Sequence, residues 1–286
     1  MAEFDSPGVR RLGDMSLTLG PGPLGTQPGG EANYGINGPK HRIWFQEHPR
    51  RIRAEIAGQV VLDTIRGHLL YESNIPPRLY VPLDDFGRGL LEPTEYTTHC
   101  PFKGDAAYYS LRVGSDLREN AVWAYPKPNP DAAWLAPFGS LYWERADAWY
   151  EEDERLLGLR DPYHRVDTRR TSRPVRVVAD DGSEVARSER AVLVFETGLP
   201  ARAYLPREDV AAELVPSARR SVCPYKGEAS YFSVRLGDRL IEDAAWTYEQ
   251  PLGEALEVGG LVSFLHEQIE VDIAQPGSPV VGAPGA

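Results

Sequence analysis

The sequence predicts a mainly β protein built from two tandem copies of one unit, and three observations carry that expectation. Residues 100–114, Cys-Pro-Phe-Lys-Gly-Asp-Ala-Ala-Tyr-Tyr-Ser-Leu-Arg-Val-Gly, recur at 223–237 as Cys-Pro-Tyr-Lys-Gly-Glu-Ala-Ser-Tyr-Phe-Ser-Val-Arg-Leu-Gly, with nine of fifteen positions identical. The likeness continues upstream, where Glu72-Ser-Asn-Ile-Pro-Pro-Arg-Leu-Tyr answers Glu196-Thr-Gly-Leu-Pro-Ala-Arg-Ala-Tyr, and downstream, where Trp123-Ala-Tyr125 answers Trp246-Thr-Tyr248. Short runs of Val, Leu, Tyr and Phe stand between Gly, Pro and Asp turns, the pattern of strands rather than helices. The copies are shifted by 124 residues before the cysteine and 123 after it. The unit is therefore about 100 residues long, an ordinary domain size.

Taken in order, residues 1–39 read as a flexible Gly/Pro-rich lead-in, and 40–150 as the first domain. In the second domain, 174–274, Val175-Arg-Val-Val-Ala leads through Asp181-Gly182 into Glu184-Val-Ala-Arg, a hairpin signature whose counterpart in the first copy spans Ile52 to Leu62. Short helical turns are expected at 147–157 and 207–214, where acidic residues precede apolar ones. The stretch 151–173 reads as a linker, and 275–286 as a disordered Pro/Gly/Ala-rich tail.

Composition excludes several functions. A net charge of −11 opposes binding to a nucleic-acid backbone, which needs a basic surface to displace counterions. No run of 18 apolar residues exists to span a membrane, and no basic-then-apolar leader opens the chain, so a cytoplasmic protein is expected. Two cysteines 123 residues apart, with no Cys-x-x-Cys pair, do not make a four-ligand zinc site. No phosphate-cradling glycine loop occurs. Neither metal nor cofactor is expected, and nothing fixes an oligomeric state.

Chemistry concentrates around the repeated segment. Tyr109/Phe232, Leu111/Val234 and Val113/Leu236 exchange apolar side chains, whereas the alternate positions keep Ala106/Ala229, Tyr108/Tyr231, Ser110/Ser233 and Arg112/Arg235 unchanged. Strand parity puts these sets on opposite faces, one facing the core and the other a candidate ligand-facing wall. Structural ion pairing of the arginines and local packing of the tyrosines are the competing reading. In the turn ahead of the strand, Cys100/Cys223 and Lys103/Lys226 stand three apart, with a Pro and a Gly enforcing a bend. A neighbouring ammonium favours thiolate, so these four are candidate catalytic groups, although a free Cys is more often a small buried hydrophobe.

None of the six histidines meets a histidine in the other copy on this shift, so a base common to both copies has to be a carboxylate. Glu72/Glu196 are the first candidates and Asp85/Asp209 the second, with pairing to Arg78/Arg202 or the capping of turns as their structural alternative. Trp123/Trp246 are the tryptophans placed at a pocket wall.

The combined pattern Cys-Pro-[Phe/Tyr]-Lys-Gly-[Asp/Glu]-Ala-x-Tyr, preceded by Pro-x-Arg-x-Tyr-x-Pro-x-x-Asp and followed by Trp-x-Tyr, resembles the DUF427 family in its tandem form. Tyr150-Glu-Glu-Asp-Glu154 and Asp161-Pro-Tyr-His-Arg-Val-Asp167 resemble its linking stretch. The resemblance covers about residues 40–273 and implies two β-tent-like domains, related to modules that carry zinc or have lost it. A nucleotidyltransferase label sometimes attached to the family finds here no acidic metal-binding pair to support it.

The functional expectation is a protein that binds a small polar or anionic metabolite in one or both domains. Lys103/Lys226 and Arg112/Arg235 would supply charge, Tyr108/Tyr231 and Ser110/Ser233 hydrogen bonds, and Trp123/Trp246 an apolar wall. The alternative is an enzyme on a similar substrate, acting through the Cys, Lys and Glu groups.

Overall fold

The computed structural model describes residues 31–275 except 32, 34, 36 and 74. Most of the lead-in expected over 1–39, and all but the first residue of the tail expected over 275–286, lie outside the described residues. The described chain is mainly β and divides into two compact units at Tyr163/His164.

The first unit contains β1 (Ile43–His48), β2 (Ile52–Ile56), β3 (Gln59–Thr64), β4 (Gly67–Glu72) and β5 (Ile75–Pro82). It continues with β6 (Leu91–Cys100), β7 (Gly104–Val113), β8 (Asp116–Ala124), β9 (Phe138–Leu141), β10 (Ala148–Glu151) and β11 (Glu154–Leu156). A seven-stranded sheet runs in the order β1-β4-β5-β9-β8-β7-β6, and a four-stranded one in the order β11-β10-β2-β3.

The second unit repeats the series from β1 to β10, and the positions equivalent to β11 lie outside the described residues. Its strands are β12 (Val166–Arg170), β13 (Val175–Ala179), β14 (Glu184–Ser188), β15 (Val192–Glu196) and β16 (Arg202–Tyr204). They are followed by β17 (Glu213–Cys223), β18 (Gly227–Leu236), β19 (Arg239–Tyr248), β20 (Val262–Phe264) and β21 (Ile269–Ile273). Here the large sheet is divided into β12-β15-β16 and β17-β18-β19-β20, with a single bridge between Leu205 and Val262. All the paired strands are antiparallel.

The expected hairpins form. In the first unit Ala57 and Gly58 both take positive φ (50° and 72°), as a two-residue turn between twisted strands requires. The second unit spans the same place with 180–183, and Gly182 supplies the positive φ of 84°. The helical turn expected from Arg207 shrinks to one 3-10 turn, Arg207–Asp209. Over 147–157 the expectation of helix is wrong. These residues form the β10–β11 hairpin, because Ala148, Trp149 and Tyr150 pair with β2 and Glu152 turns the chain at φ 52°. Local propensity gave way to an open edge of β2. The stretch expected as a linker likewise carries β11 and β12.

Each unit has two apolar clusters, one on each face of its large β-hairpin. In the first unit Leu111 and Val113, with Tyr109 beside them, pack on Ile52, Leu62, Leu69, Val122 and Trp149. Ala106 and Tyr108 pack on the other side with Leu70, Tyr80, Tyr125 and Leu135. In the second unit Phe232 and Val234 enter one cluster, whereas Ala229, with Tyr231 against it, enters the other beside Tyr204, Trp246 and Tyr248. The apolar exchanges seen in the sequence therefore fall on the face that meets the larger core, where similar volumes substitute readily.

Candidate functional site

The turn Cys-Pro-x-Lys-Gly closes the hairpin β6–β7, with Cys100 opposite Gly104, and its copy closes β17–β18, with Cys223 opposite Gly227. Gly104 and Gly227 take φ of 101° and 106°, and a Cβ on Gly227 would stand 3.1 Å from the Gln250 carbonyl oxygen. Only glycine meets both demands. Backbone bonds from Asn129 N–H to Lys103 O (3.0 Å) and from Leu252 N–H to Lys226 O (3.1 Å) then fix the turn against the following loop.

So held, each lysine points inward. Lys103 donates to Glu72 Oε1, and the two side chains are 9% and 6% exposed. Lys226 donates to Glu196 Oε2 at 2.5 Å, and its ammonium and that carboxylate are nearly as buried. The Lys103 ammonium also lies 5.5 Å from the centre of the Tyr125 ring, at cation–π range.

A histidine completes each set. His41 Nε2 is 3.4 Å from Glu72 Oε2, and His164 Nε2 is 2.9 Å from Glu196 Oε1. Only the second contact has hydrogen-bond geometry. His41 Nε2 is buried without a hydrogen-bond partner among the described residues. Both rings stack on the aromatic residue of the turn, His41 on Phe102 at 3.8 Å and His164 on Tyr225 at 4.3 Å.

The sequence spacing left these histidines unmatched, and strand register shows why. Ile43 opposes Glu72 and Val166 opposes Glu196, so β1 and β12 are equivalent at a shift of 123. The shift becomes 124 only between the longer turn at 180–183 and the 3-10 turn at Arg207–Asp209, and returns to 123 by β6 and β17. Carrying 124 back to the start of the unit sets His41 beside Arg165 and hides the match. The signal was present in the pairs Ile52/Val175 and Ala54/Val177, which align only at 123.

Burial by itself would raise the Glu196 carboxyl, but the His164 hydrogen bond and the Lys226 ammonium outweigh it and hold the group below the usual carboxylate range. Burial pushes the Tyr125, Tyr204 and Tyr248 hydroxyls well above the ordinary phenol value. Tyr80 and Tyr204 accept the indole N–H of Trp123 (3.0 Å) and Trp246 (3.3 Å). Tyr108 bonds Thr98 (3.0 Å) and Tyr231 bonds Ser221 (2.9 Å). Cys100 and Cys223 are half-buried against the same aromatic clusters.

Other expected site residues lie elsewhere. The hydroxyls of Ser110 and Ser233 accept the N–H of Asn120 (3.1 Å) and Asp243 (3.2 Å), residues bulged at positive φ. That is a structural task. Arg112 forks onto Glu92 on the surface, and Arg235 reaches Glu213 at 3.2 Å. Asp85 and Asp209 tie down the turn after β3 and β14, through Thr64 and Arg66 in one unit and Ser188 and Arg190 in the other. Among the described residues neither Arg78 nor Arg202 pairs with a glutamate: the lysines take that place.

The fold and the site define a duplicated, mainly β protein that carries one buried His–Glu–Lys set beside a Tyr–Trp pair in each half. The chain belongs to the family described as a domain of unknown function (DUF427), which matches residues 44–152 and again residues 167–275. No curated protein matches the chain. No helix among the described residues is long and apolar enough to cross a membrane.

Proposed function

We propose that this is a cytoplasmic small-metabolite-binding protein with one site per unit, set in a β-tent-like fold around the Cys-Pro-x-Lys-Gly turn. The observation that carries this reading is the recurrence of the same buried ionic set in both copies. A buried ion pair returns little net stability, because removing its charges from water costs about as much as their attraction returns. Its presence in both copies is better accounted for by a ligand than by folding. The neighbouring Tyr80/Tyr204, Tyr108/Tyr231 and Trp123/Trp246 offer hydroxyls and ring faces, the mixture a small polar ligand needs. The lysines meet it as part of a neutralised pair rather than as bare cations.

An enzyme is the second reading, and one observation favours it. An imidazole, a carboxylate and an ammonium in series are the groups that move protons. Here the histidine, rather than the cysteine, is the base to be tested.

The test is a thermal-shift screen of polar metabolites on the full chain, repeated on Glu72→Gln/Lys103→Met and on Glu196→Gln/Lys226→Met. A compound at 100 times its dissociation constant stabilises by about 2.7 kcal/mol, and that shift should vanish in the paired variant of the unit that binds it. Hits that survive in both variants would refute the assignment. Turnover of a hit, lost in His41→Gln or His164→Gln while binding persists, would decide for the enzyme.

A further inference from the structure

The two sites share their inner parts and differ in what lies over the Tyr–Trp wall. Tyr108 and Trp123 are cross-strand partners on β7 and β8, as are Tyr231 and Trp246 on β18 and β19, so each pair lies on one face of its sheet. In the first unit this wall meets two phenols. Tyr96 stands edge-on to Tyr108 at 4.7 Å, and Tyr142 lies 4.4 Å from Trp123. Burial, with a hydrogen bond to Tyr108, pushes the Tyr142 hydroxyl up to about 12.

In the second unit the same wall meets two guanidinium groups. Arg219, at the position of Tyr96, lies 4.5 Å from the Tyr231 ring centre, and Arg202 lies 5.2 Å from the centre of Trp246. The position of Tyr142 is taken by Leu265, which turns outward at 57% exposed and leaves the indole to Arg202. Arg202 is two residues from Tyr204 on β16, so it shares the face on which Tyr204 receives the Trp246 indole N–H.

Arg202 is also unusual in its charge. It is half-buried, and among the described residues its one side-chain hydrogen bond goes to the Phe264 carbonyl at 3.4 Å and no carboxylate pairs with it. Its counterpart Arg78 is exposed. Arg219 has a single distant carboxylate, Asp243 at 3.8 Å, and Asp243 is itself bonded by Ser217. Arginines laid on rings are held in place in advance, and their planar forks match the two oxygens of a carboxylate or phosphate.

We propose that the second unit binds the oxyanion group of a small ligand at Arg202 and Arg219 above Tyr231 and Trp246, and that the first unit, with phenols there, does not. This rests on the small-molecule reading above and assigns its ligand class to one half of the chain.

The test follows the arginine Nε–H resonances of the full chain by NMR, titrating inorganic phosphate in one arm and acetate in the other at ionic strength held constant with chloride. Saturable shifts of Arg202 and Arg219 are expected, with no comparable movement at the surface arginines Arg112 and Arg187, and the stronger arm identifies the oxyanion. Arg202→Gln should weaken the binding at least tenfold. Arg219→Gln, at an exposed position where unfolding is not a concern, should do the same. Equal shifts at surface arginines, no saturation, or unchanged affinity in both variants would overturn the proposal. A neutral compound that binds the second unit and ignores Arg202→Gln would also overturn it while leaving the small-molecule reading intact.

Discussion

Replacing Lys226 by Met removes the ammonium but keeps the volume of the side chain, and it strands Glu196 in a site where both partners are about nine-tenths buried. Breaking a buried pair from one side costs about 3–5 kcal/mol. Glu196 keeps the His164 bond at 2.9 Å, which places the loss near the lower end, about 3 kcal/mol. For a domain of this size that lowers Tm by about 12 °C. In Lys103→Met, Glu72 keeps, among the described residues, only an imidazole at 3.4 Å without hydrogen-bond geometry, so the loss lies nearer about 5 kcal/mol. Scanning calorimetry of the full chain reads both variants. Restoring neutrality with Glu196→Gln in the Lys226→Met background should bring the transition back to within about 1 kcal/mol of the parent, because no bare charge remains and the amide still meets His164. A double variant that melts no higher than the single one would show that the pair holds the fold together, and the argument from buried charge to ligand would fail.

Other consequences are open to the same instrument. Gly227→Ala should cost more than about 1 kcal/mol, from its positive φ and the 3.1 Å approach to Gln250 O, and Gly104→Ala somewhat less, since its nearest atom is 3.3 Å away. Ser233→Ala should cost about 1 kcal/mol by orphaning the Asp243 N–H, with no effect on ligand shifts in the thermal screen. Arg235→Ala and Arg112→Ala should leave both Tm and ligand shifts unchanged, because their partners are exposed. With its folded pKa below the unfolded value, Glu196 contributes stability that is fully present above about pH 4.3 and is lost as pH falls through the lower folded value. Glu196→Gln should therefore flatten the acid limb of a Tm-against-pH curve for the second unit.

The duplication was legible because the repeated hairpin must keep its register: a one-residue slip would turn every side chain to the wrong face. Its parity separated the face that packs on the larger apolar cluster from the face that carries Tyr108/Tyr231 into the smaller one, and Lys103/Lys226, Glu72/Glu196, Tyr108/Tyr231 and Trp123/Trp246 emerge together around one turn. What spacing could not show was that Glu72 faces Lys103 across 31 residues, since that contact depends on how β4 and the turn are brought together. Ser110 and Arg112 share parity with Tyr108, but the bulge at Asn120 changes the register beyond Tyr109 and leaves them on other duties. The histidines were missed because one inserted and one deleted residue cancel: both ends of the unit align at 123, and carrying the 124 of the middle segment back to the start sets His41 beside the wrong residue.

Those compensating length changes fall in surface turns, outside the strands that carry the charged groups. Between Leu91 and Leu141 the first copy has the same number of residues as the second has between Leu214 and Phe264, so one shift of 123 holds through the whole stretch. The two stretches are thus natural cassettes, exchangeable without inserting or deleting a residue. Because Arg219 and Trp246 travel with such a cassette while Arg202 stays behind, hybrids can separate the paired cations into different molecules and let each be studied alone.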